Sequence, residues 1–193
     1  MAMSGAGLKT QQTPVSVERQ LETIKVMGSF ILFLFSMSVP YFLMINVRFL
    51  MVAGYVPSAV DQTTGIIESL LLVFSAIAAL FSRKAIRSEN IAAYRWNTLF
   101  TLLLGTMATL MMVWEFWFHP VDAMSHYGET FLSTVGLCVF MQVAGLLTLL
   151  ASRSRSKFLG INADNQIGYR TPVYFWVFVV ISWLVMYAEL YFI

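Results

Sequence analysis

The sequence predicts an all-α protein: a polytopic membrane helix bundle with five transmembrane helices, a cytoplasmic N-terminus and an external C-terminus. Of the 193 residues, 59% are hydrophobic and only 11% are charged, whereas a soluble domain carries about 25% charged residues. The mean hydropathy is +0.74. Five apolar segments approach or exceed the roughly 20 residues that a helix needs to cross the hydrocarbon core. They leave no room for a separate soluble domain.

The five segments differ in length and regularity. The first is long enough to tilt, and Pro40 within it is expected to kink the helix or interrupt its hydrogen bonding. The second is the shortest and is expected to extend into its flanks. None shows the alternation of a barrel strand. The predicted spans are 26–53, 65–81, 96–118, 130–151 and 172–193.

The distribution of basic residues predicts the orientation. Eleven of the 12 Lys and Arg residues lie in the N-terminal tail or in the loops after spans two and four. Cytoplasmic loops are enriched in Lys and Arg, so these regions are expected to face the cytoplasm. The first residues lack the apolar core and cleavage site of a signal peptide. We therefore predict a polar cytoplasmic tail over 1–24, retained and partly disordered over 1–13, and a transmembrane domain over 25–193.

Four ionisable residues fall inside predicted spans, where charges are costly and serve as default functional candidates. They are Arg48, Glu68, Glu115 and Glu189, and the predicted topology places all four toward the outer face. We expect Arg48 to pair with at least one of the glutamates, with Glu115 as first choice. The alternative is that each side chain reaches the interface separately.

Aromatic residues at the predicted span ends suggest an interfacial belt. Arg95 and Trp96, at a predicted inner interface, are candidates for binding a lipid head group, and an ordinary interfacial anchor is the alternative. The predicted belt consists of Tyr55, Trp96, Trp114, Trp117, Tyr127, Tyr169 and Tyr191.

Signals for catalysis or metal binding are weak. Cys138, the single cysteine, lies in an apolar run and is expected to be a small buried hydrophobe. His119 and His126 share one loop with Asp122 and Glu129, and we interpret them as solvated rather than as a metal site. Haem or copper would need a larger intramembrane ligand set. No phosphate-binding loop, credible catalytic triad or basic nucleic-acid groove is present. The residues therefore argue against an autonomous enzyme.

Small residues on spans three and four predict close helix packing. Gly105 and Thr109 lie four residues apart on span three, and Gly136 and Gly145 lie on span four. We interpret all of them as packing positions.

Several motifs resemble one family. Span two reads Ile67-Glu68-Ser69-Leu70-Leu71-Leu72-Val73-Phe74-Ser75, and span three ends in Trp114-Glu115-Phe116. The entry to the fourth helix reads Tyr127-Gly128-Glu129-Thr130-Phe131, and span five carries Phe175, Trp176, Phe178 and Trp183. Together with the spacing of Gly136 and Gly145, these motifs resemble the five-helix bacterial form of haem-copper oxidase subunit III, as in quinol and short cytochrome c oxidases. The resemblance covers about residues 25–193.

The chain also departs from that family's pattern at polar positions. Ser36-Met37-Ser38 stands where the family often has a carboxylate, and Cys138-Val139-Phe140-Met141 aligns with the family's His-Gly-Leu-His. Val177 and Val180 replace a His and an Asp. Losing a whole polar network can be neutral for packing, because no unpaired partner remains. We interpret the chain as a divergent member of the family.

The resemblance implies a non-catalytic accessory subunit of a respiratory haem-copper oxidase, in a bacterial-type inner membrane. Such a subunit holds no haem or copper, packs on and stabilises the catalytic subunit I, and encloses phospholipid in a cleft. The metals would then lie in partner subunits, with electrons from cytochrome c or quinol. The resemblance also fits the related accessory protein of nitric oxide reductase. A small transporter or channel, or a membrane enzyme or assembly factor of another type, remain alternatives.

Overall fold

The computed structural model describes residues 14–58, 60–118, 121–161 and 165–192, with side chains from residue 21 onward. The described residues form five helices, which confirms the predicted all-α fold. The expectation of disorder over 1–13 lies outside the described residues. The helices are α1 (Pro14–Val52), α2 (Gln62–Arg87), α3 (Ile91–Trp117), α4 (His126–Leu159) and α5 (Gln166–Phe192).

All five helices are long and apolar enough to cross a membrane, and the chain is a multi-pass membrane protein. Each helix begins before its predicted apolar segment. Helices α2 and α4 also end after it, whereas α1, α3 and α5 end one residue before the predicted end. The extensions carry polar and charged residues, such as Lys84 and Arg87 in the last turn of α2. Basic side chains near a helix C-terminus interact favourably with the helix dipole. The apolar segment therefore marks the hydrocarbon-spanning part, and the helix itself continues further.

The described residues divide into two units, one ending at Phe33 and the other beginning at Leu34. In the first unit, the helix starts at Pro14, a residue suited to the first helical position because its missing N–H would have no partner there. The helix therefore already includes 14–24, which we predicted as tail. Side chains such as Ile24, Ile31 and Leu32 are exposed, as expected for a helix surface that faces lipid.

In the second unit, α1 runs from residue 34 to Val52 without interruption at Pro40. Proline has no N–H to bond the Ser36 carbonyl, so the helix continues through Pro40 without that hydrogen bond. Between residues 34 and 52, no Cα of α1 lies within 8 Å of a Cα of α2–α5. Only Tyr41 and Arg48 are buried on this part of α1.

Helices α2–α5 form a closed four-helix bundle in which each helix packs on two others: α2 and α4 each contact both α3 and α5. Trp176 of α5 lies at its centre and is fully buried. A Cβ added at Gly105 of α3 would lie 2.6 Å from the indole, and one added at Gly145 of α4 would lie 2.8 Å from it. The two glycines therefore provide the space that the indole fills, which supports the predicted packing role.

Polar side chains link the helices inside the apolar bundle, where interhelical hydrogen bonds are common. The indole N–H of Trp176 donates to Ser75 Oγ at 2.6 Å, and that of Trp183 donates to Ser69 Oγ at 3.1 Å. Thr109 Oγ1 donates to Gln142 Oε1 at 2.8 Å. These bonds join α2 to α5 and α3 to α4, and so fix the rotation of each helix about its axis.

Helix starts are capped by the residue types expected there. Asp61 caps α2, Asn90 caps α3 and Ser125 caps α4. The Thr64 hydroxyl and the Thr63 N–H both donate to the Asp61 carboxylate and lower its pKa. The cap is therefore retained at neutral pH, and it weakens when the pH falls through that lowered value.

Candidate functional site: a buried polar cluster at one end of the bundle

Six polar side chains meet at one end of the second unit, and we call them the polar cluster. Arg48 lies near the end of α1, Glu68 near the start of α2 and Glu115 at the end of α3. Tyr127 lies at the start of α4, and Glu189 and Tyr191 lie at the end of α5. None of the six exposes more than 5% of its surface. The expectation that the four ionisable residues share one end is therefore confirmed, and separate snorkelling of each side chain is wrong.

Arg48 is the centre of the polar cluster. Its Nε lies 3.4 Å from Oε1 of Glu189, and its guanidinium lies 5.1 Å from the centroid of the Tyr127 ring, in a cation–π arrangement. Pairing with a glutamate was predicted, but the partner is Glu189 rather than our first choice, Glu115. These contacts link α1 to both α4 and α5.

Glu115 is held by a different donor, the Tyr191 hydroxyl, at 2.7 Å from Oε1. Tyr191 had been predicted only as an interfacial residue. Its main-chain carbonyl accepts a hydrogen bond from Gln62 Nε2 at 3.3 Å. The end of α5 is thus joined to α2 and α3 by one residue.

Glu68 is completely buried, and among the described residues neither of its carboxylate oxygens has a hydrogen-bond partner. Nη1 and Nη2 of Arg48 and Oε2 of Glu115 are likewise buried without a partner in the described part of the chain. Buried polar atoms are normally paired, often by ordered water. The ion pair and the hydrogen bond on Glu115 hold the helix ends together, and the remaining polar atoms are open to further partners.

The junction before α4 is built on Gly128, which we singled out from the sequence. Ser125 Oγ accepts from the Gly128 N–H at 3.0 Å and donates to the Asp122 carbonyl at 2.6 Å. A Cβ at position 128 would overlap that same carbonyl oxygen. Tyr127, one residue earlier, donates to the Leu190 carbonyl at 2.7 Å. The tight turn thus positions Tyr127 in the polar cluster.

Gly136, another candidate, has more space. A Cβ added there would meet the Phe116 ring at 3.5 Å, an ordinary van der Waals contact. Of the three glycines singled out as sites, Gly128 and Gly145 are therefore sterically required, and Gly136 is not.

The predicted aromatic belt contains both exposed and buried side chains. Tyr55, Trp96, Trp114 and Trp117 are exposed. Tyr127, Tyr169 and Tyr191 are buried, so their assignment to the belt is wrong. Each of these three hydroxyls finds an acceptor inside the protein, and for Tyr169 the acceptor is the Gly160 carbonyl at 2.8 Å. A buried tyrosine usually needs such a partner.

Arg95 and Trp96 lie elsewhere, at the opposite end of the helices. Together with Ala92, Leu99 and Arg153 they line a pocket of about 290 Å³ between α3 and α4. Arg153 Nε donates to the Arg95 carbonyl at 3.3 Å. Arg153 was not predicted as a site residue, because sequence separation gives no indication that it lies beside Arg95.

Among the described residues, no group of three or more His, Cys, Asp or Glu side chains is arranged to hold a metal ion. Nδ1 of His126 lies 4.0 Å from Oε2 of Glu129, and both side chains are largely exposed. His119 lies outside the described residues. Cys138 is buried, as predicted.

Comparison with known proteins points to one family. The sequence matches the family model described as cytochrome c oxidase subunit III over residues 22–193. The cytochrome c oxidase subunit 3 of Rhipicephalus sanguineus is 29% identical over 129 residues, which cover 65% of this chain and 49% of that protein. That of Spodoptera frugiperda is 24% identical, over 65% of this chain and 86% of the relative. That of Locusta migratoria is also 24% identical, over 65% of this chain and 48% of the relative.

This chain therefore spans about half the length of two of these three relatives. The family model nevertheless covers almost all of the chain beyond the N-terminal tail. The low identities agree with a divergent sequence. The resemblance found in the sequence motifs is confirmed, and the chain belongs to the cytochrome c oxidase subunit III family.

Proposed function

We propose that this protein is a non-catalytic accessory subunit of a respiratory haem-copper oxidase, where it packs on and stabilises the catalytic subunit I during aerobic electron transport. The observation that carries the proposal is the family match over residues 22–193, joined to five helices that can each cross a membrane. Haem and copper belong to the partner subunits. The membrane is a bacterial-type inner membrane, with the N-terminus on the cytoplasmic side.

The outward surface of α1 supports a role in assembly. In the second unit, Phe35, Phe42 and Leu50 expose 73%, 69% and 86% of their surface. In the membrane such side chains pack against lipid or against other membrane helices, and close helix packing gains van der Waals contacts. We assign this face to partner subunits and to the lipid around them.

We further propose that a groove between α1 and α5 holds phospholipid. It has a volume of about 490 Å³, and its lining is mainly aromatic and aliphatic, including Phe35, Tyr41, Phe42, Phe178 and Ile181. The groove exists because the α1 backbone stays away from the bundle while Tyr41 and Arg48 bridge the gap. An acyl chain of a phospholipid, which the family resemblance implies, has the matching shape and polarity.

Deleting the gene in its own host tests the proposal. We expect membranes of the deletion strain to contain several-fold less assembled haem-copper oxidase, because an unpartnered catalytic subunit is degraded. Oxygen consumption by the membranes and their reduced-minus-oxidised haem absorbance measure the effect. A plasmid copy of the wild-type gene, as control, restores both.

The same experiment separates the alternatives. A loss of nitric oxide consumption with unchanged oxygen consumption would overturn the oxidase assignment in favour of nitric oxide reductase. Unchanged consumption of both gases, with a change in solute uptake, would overturn it in favour of transport.

A further inference from the structure

The pocket between the start of α3 and the end of α4 has the chemistry of an anion site. Arg95 and Arg153 supply two guanidinium groups, and Trp96, Ala92 and Leu99 complete its lining. The Arg153 Nε–H donates a hydrogen bond to the Arg95 carbonyl. This bond orients the side chain and leaves its terminal nitrogens for another acceptor. No described carboxylate lies within ion-pair distance of either guanidinium.

Three other arginines at this end of the helices have partners within the protein. Arg83 lies over the Tyr174 ring at 5.1 Å, Arg155 lies over the Tyr169 ring at 5.9 Å, and Arg170 donates to Gln166. Arg95 and Arg153 instead share a pocket. Glu89 is the nearest acidic residue along the chain to Arg95, and it is exposed in the preceding turn. The pocket is therefore locally positive.

The depth of the pocket fits the interface between hydrocarbon and head groups. Arg95 lies four residues inside α3 and Arg153 six residues before the end of α4, which places them roughly 6 and 9 Å from the helix ends. Both side chains are half-buried. Trp96 is 64% exposed, as is typical of tryptophan at the head-group level. A ligand in this pocket would reach water at one end and hydrocarbon at the other.

We propose that this pocket binds the phosphate of an anionic phospholipid, with Arg95 and Arg153 on the phosphate oxygens and Trp96 along the glycerol and upper acyl chain. Guanidinium groups match phosphate geometry by paired hydrogen bonds. Two positive charges without a neighbouring described carboxylate favour an anionic over a zwitterionic head group, since an ammonium group would have no counter-charge. The proposal requires only that the chain spans a membrane, and it does not depend on the oxidase assignment.

The test uses the full chain purified with its co-purifying subunits and placed in nanodiscs of equal parts phosphatidylcholine and phosphatidylglycerol. Native mass spectrometry then measures the lipid that stays bound. We expect retained phosphatidylglycerol on the wild type and about tenfold weaker retention on Arg153→Gln, the effect of losing one charged hydrogen bond. Arg153→Lys is expected to retain more of the lipid than Arg153→Gln, because lysine keeps the positive charge but cannot make the paired hydrogen bonds of a guanidinium.

Arg87→Gln is the matched control, since it removes the same charge from an exposed position at the same end of the helices. Equal retention by Arg153→Gln, Arg95→Gln and Arg87→Gln would contradict the proposal and leave Arg95 and Trp96 as ordinary interfacial anchors. Displacement of the lipid by inorganic phosphate at millimolar concentration would identify free phosphate as the ligand and overturn the lipid assignment. Circular dichroism of each variant confirms that it is folded.

Discussion

Arg48→Met is expected to lower the free energy of unfolding by about 3–5 kcal/mol, the range for breaking a buried ion pair by removing one partner. The substitution leaves Glu189 buried without its cation, which lies 3.4 Å away in the wild type. It also removes the cation–π contact to Tyr127. Since the α1 backbone makes no close approach to the bundle between residues 34 and 52, α1 then keeps few contacts that position it. Denaturation in mixed detergent, followed by circular dichroism, measures the change.

Two further variants show whether the ion pair causes the loss. Arg48→Met combined with Glu189→Gln removes the unpaired charge and is expected to recover much of the stability. Arg87→Met, at an exposed position, is expected to change the free energy by less than about 0.5 kcal/mol. An Arg48→Met protein as stable as Arg87→Met, or a double variant no better than the single one, would contradict this account of the polar cluster.

Gly128→Ala is expected to destabilise the protein by about 3 kcal/mol, at the upper end of the costs of overpacking. The new methyl group would overlap the backbone carbonyl of Asp122, and a backbone atom cannot move aside as a flexible side chain can. The start of α4 would have to shift, which breaks the cap on Ser125 and moves Tyr127 away from Leu190. Thermal unfolding of the purified protein measures the loss.

Gly136→Ala is the matched control within the same helix. Its added carbon would make only an ordinary contact with Phe116, and replacing glycine by alanine inside a helix gains about 0.5–1 kcal/mol. We therefore expect this variant to be as stable as the wild type or more stable. Two alanine variants that unfold at the same temperature would show that the junction before α4 is not sterically constrained.

The number and order of the helices could be predicted from the sequence, because each span is a long apolar run between charged loops. The residues at which the helices begin and end could not be predicted. Span four was predicted as 130–151, whereas α4 covers His126–Leu159. Hydropathy detects the part of a helix that meets hydrocarbon. The Ser125 cap and the basic last turns determine where the helix begins and ends.

The polar cluster could be predicted in outline only. Four charges inside apolar spans indicate a site, and the alternation of helix direction brings them to one end. The pairing depends on how each helix is rotated about its axis. Contacts such as Trp176 to Ser75 fix that rotation, and no spacing in the sequence encodes them. For the same reason Tyr191 was assigned to the membrane interface, although its hydroxyl donates to Glu115 inside the bundle.

The most direct test of the proposed function is the isolation of the tagged chain from its native membrane in a mild detergent, with a reduced-minus-oxidised haem spectrum and mass spectrometry of the co-purifying chains. We predict a haem signal together with a large, histidine-rich membrane subunit that carries the haem and copper sites. A colourless preparation without a partner, from membranes in which the oxidase is present, would contradict the assignment as an accessory subunit.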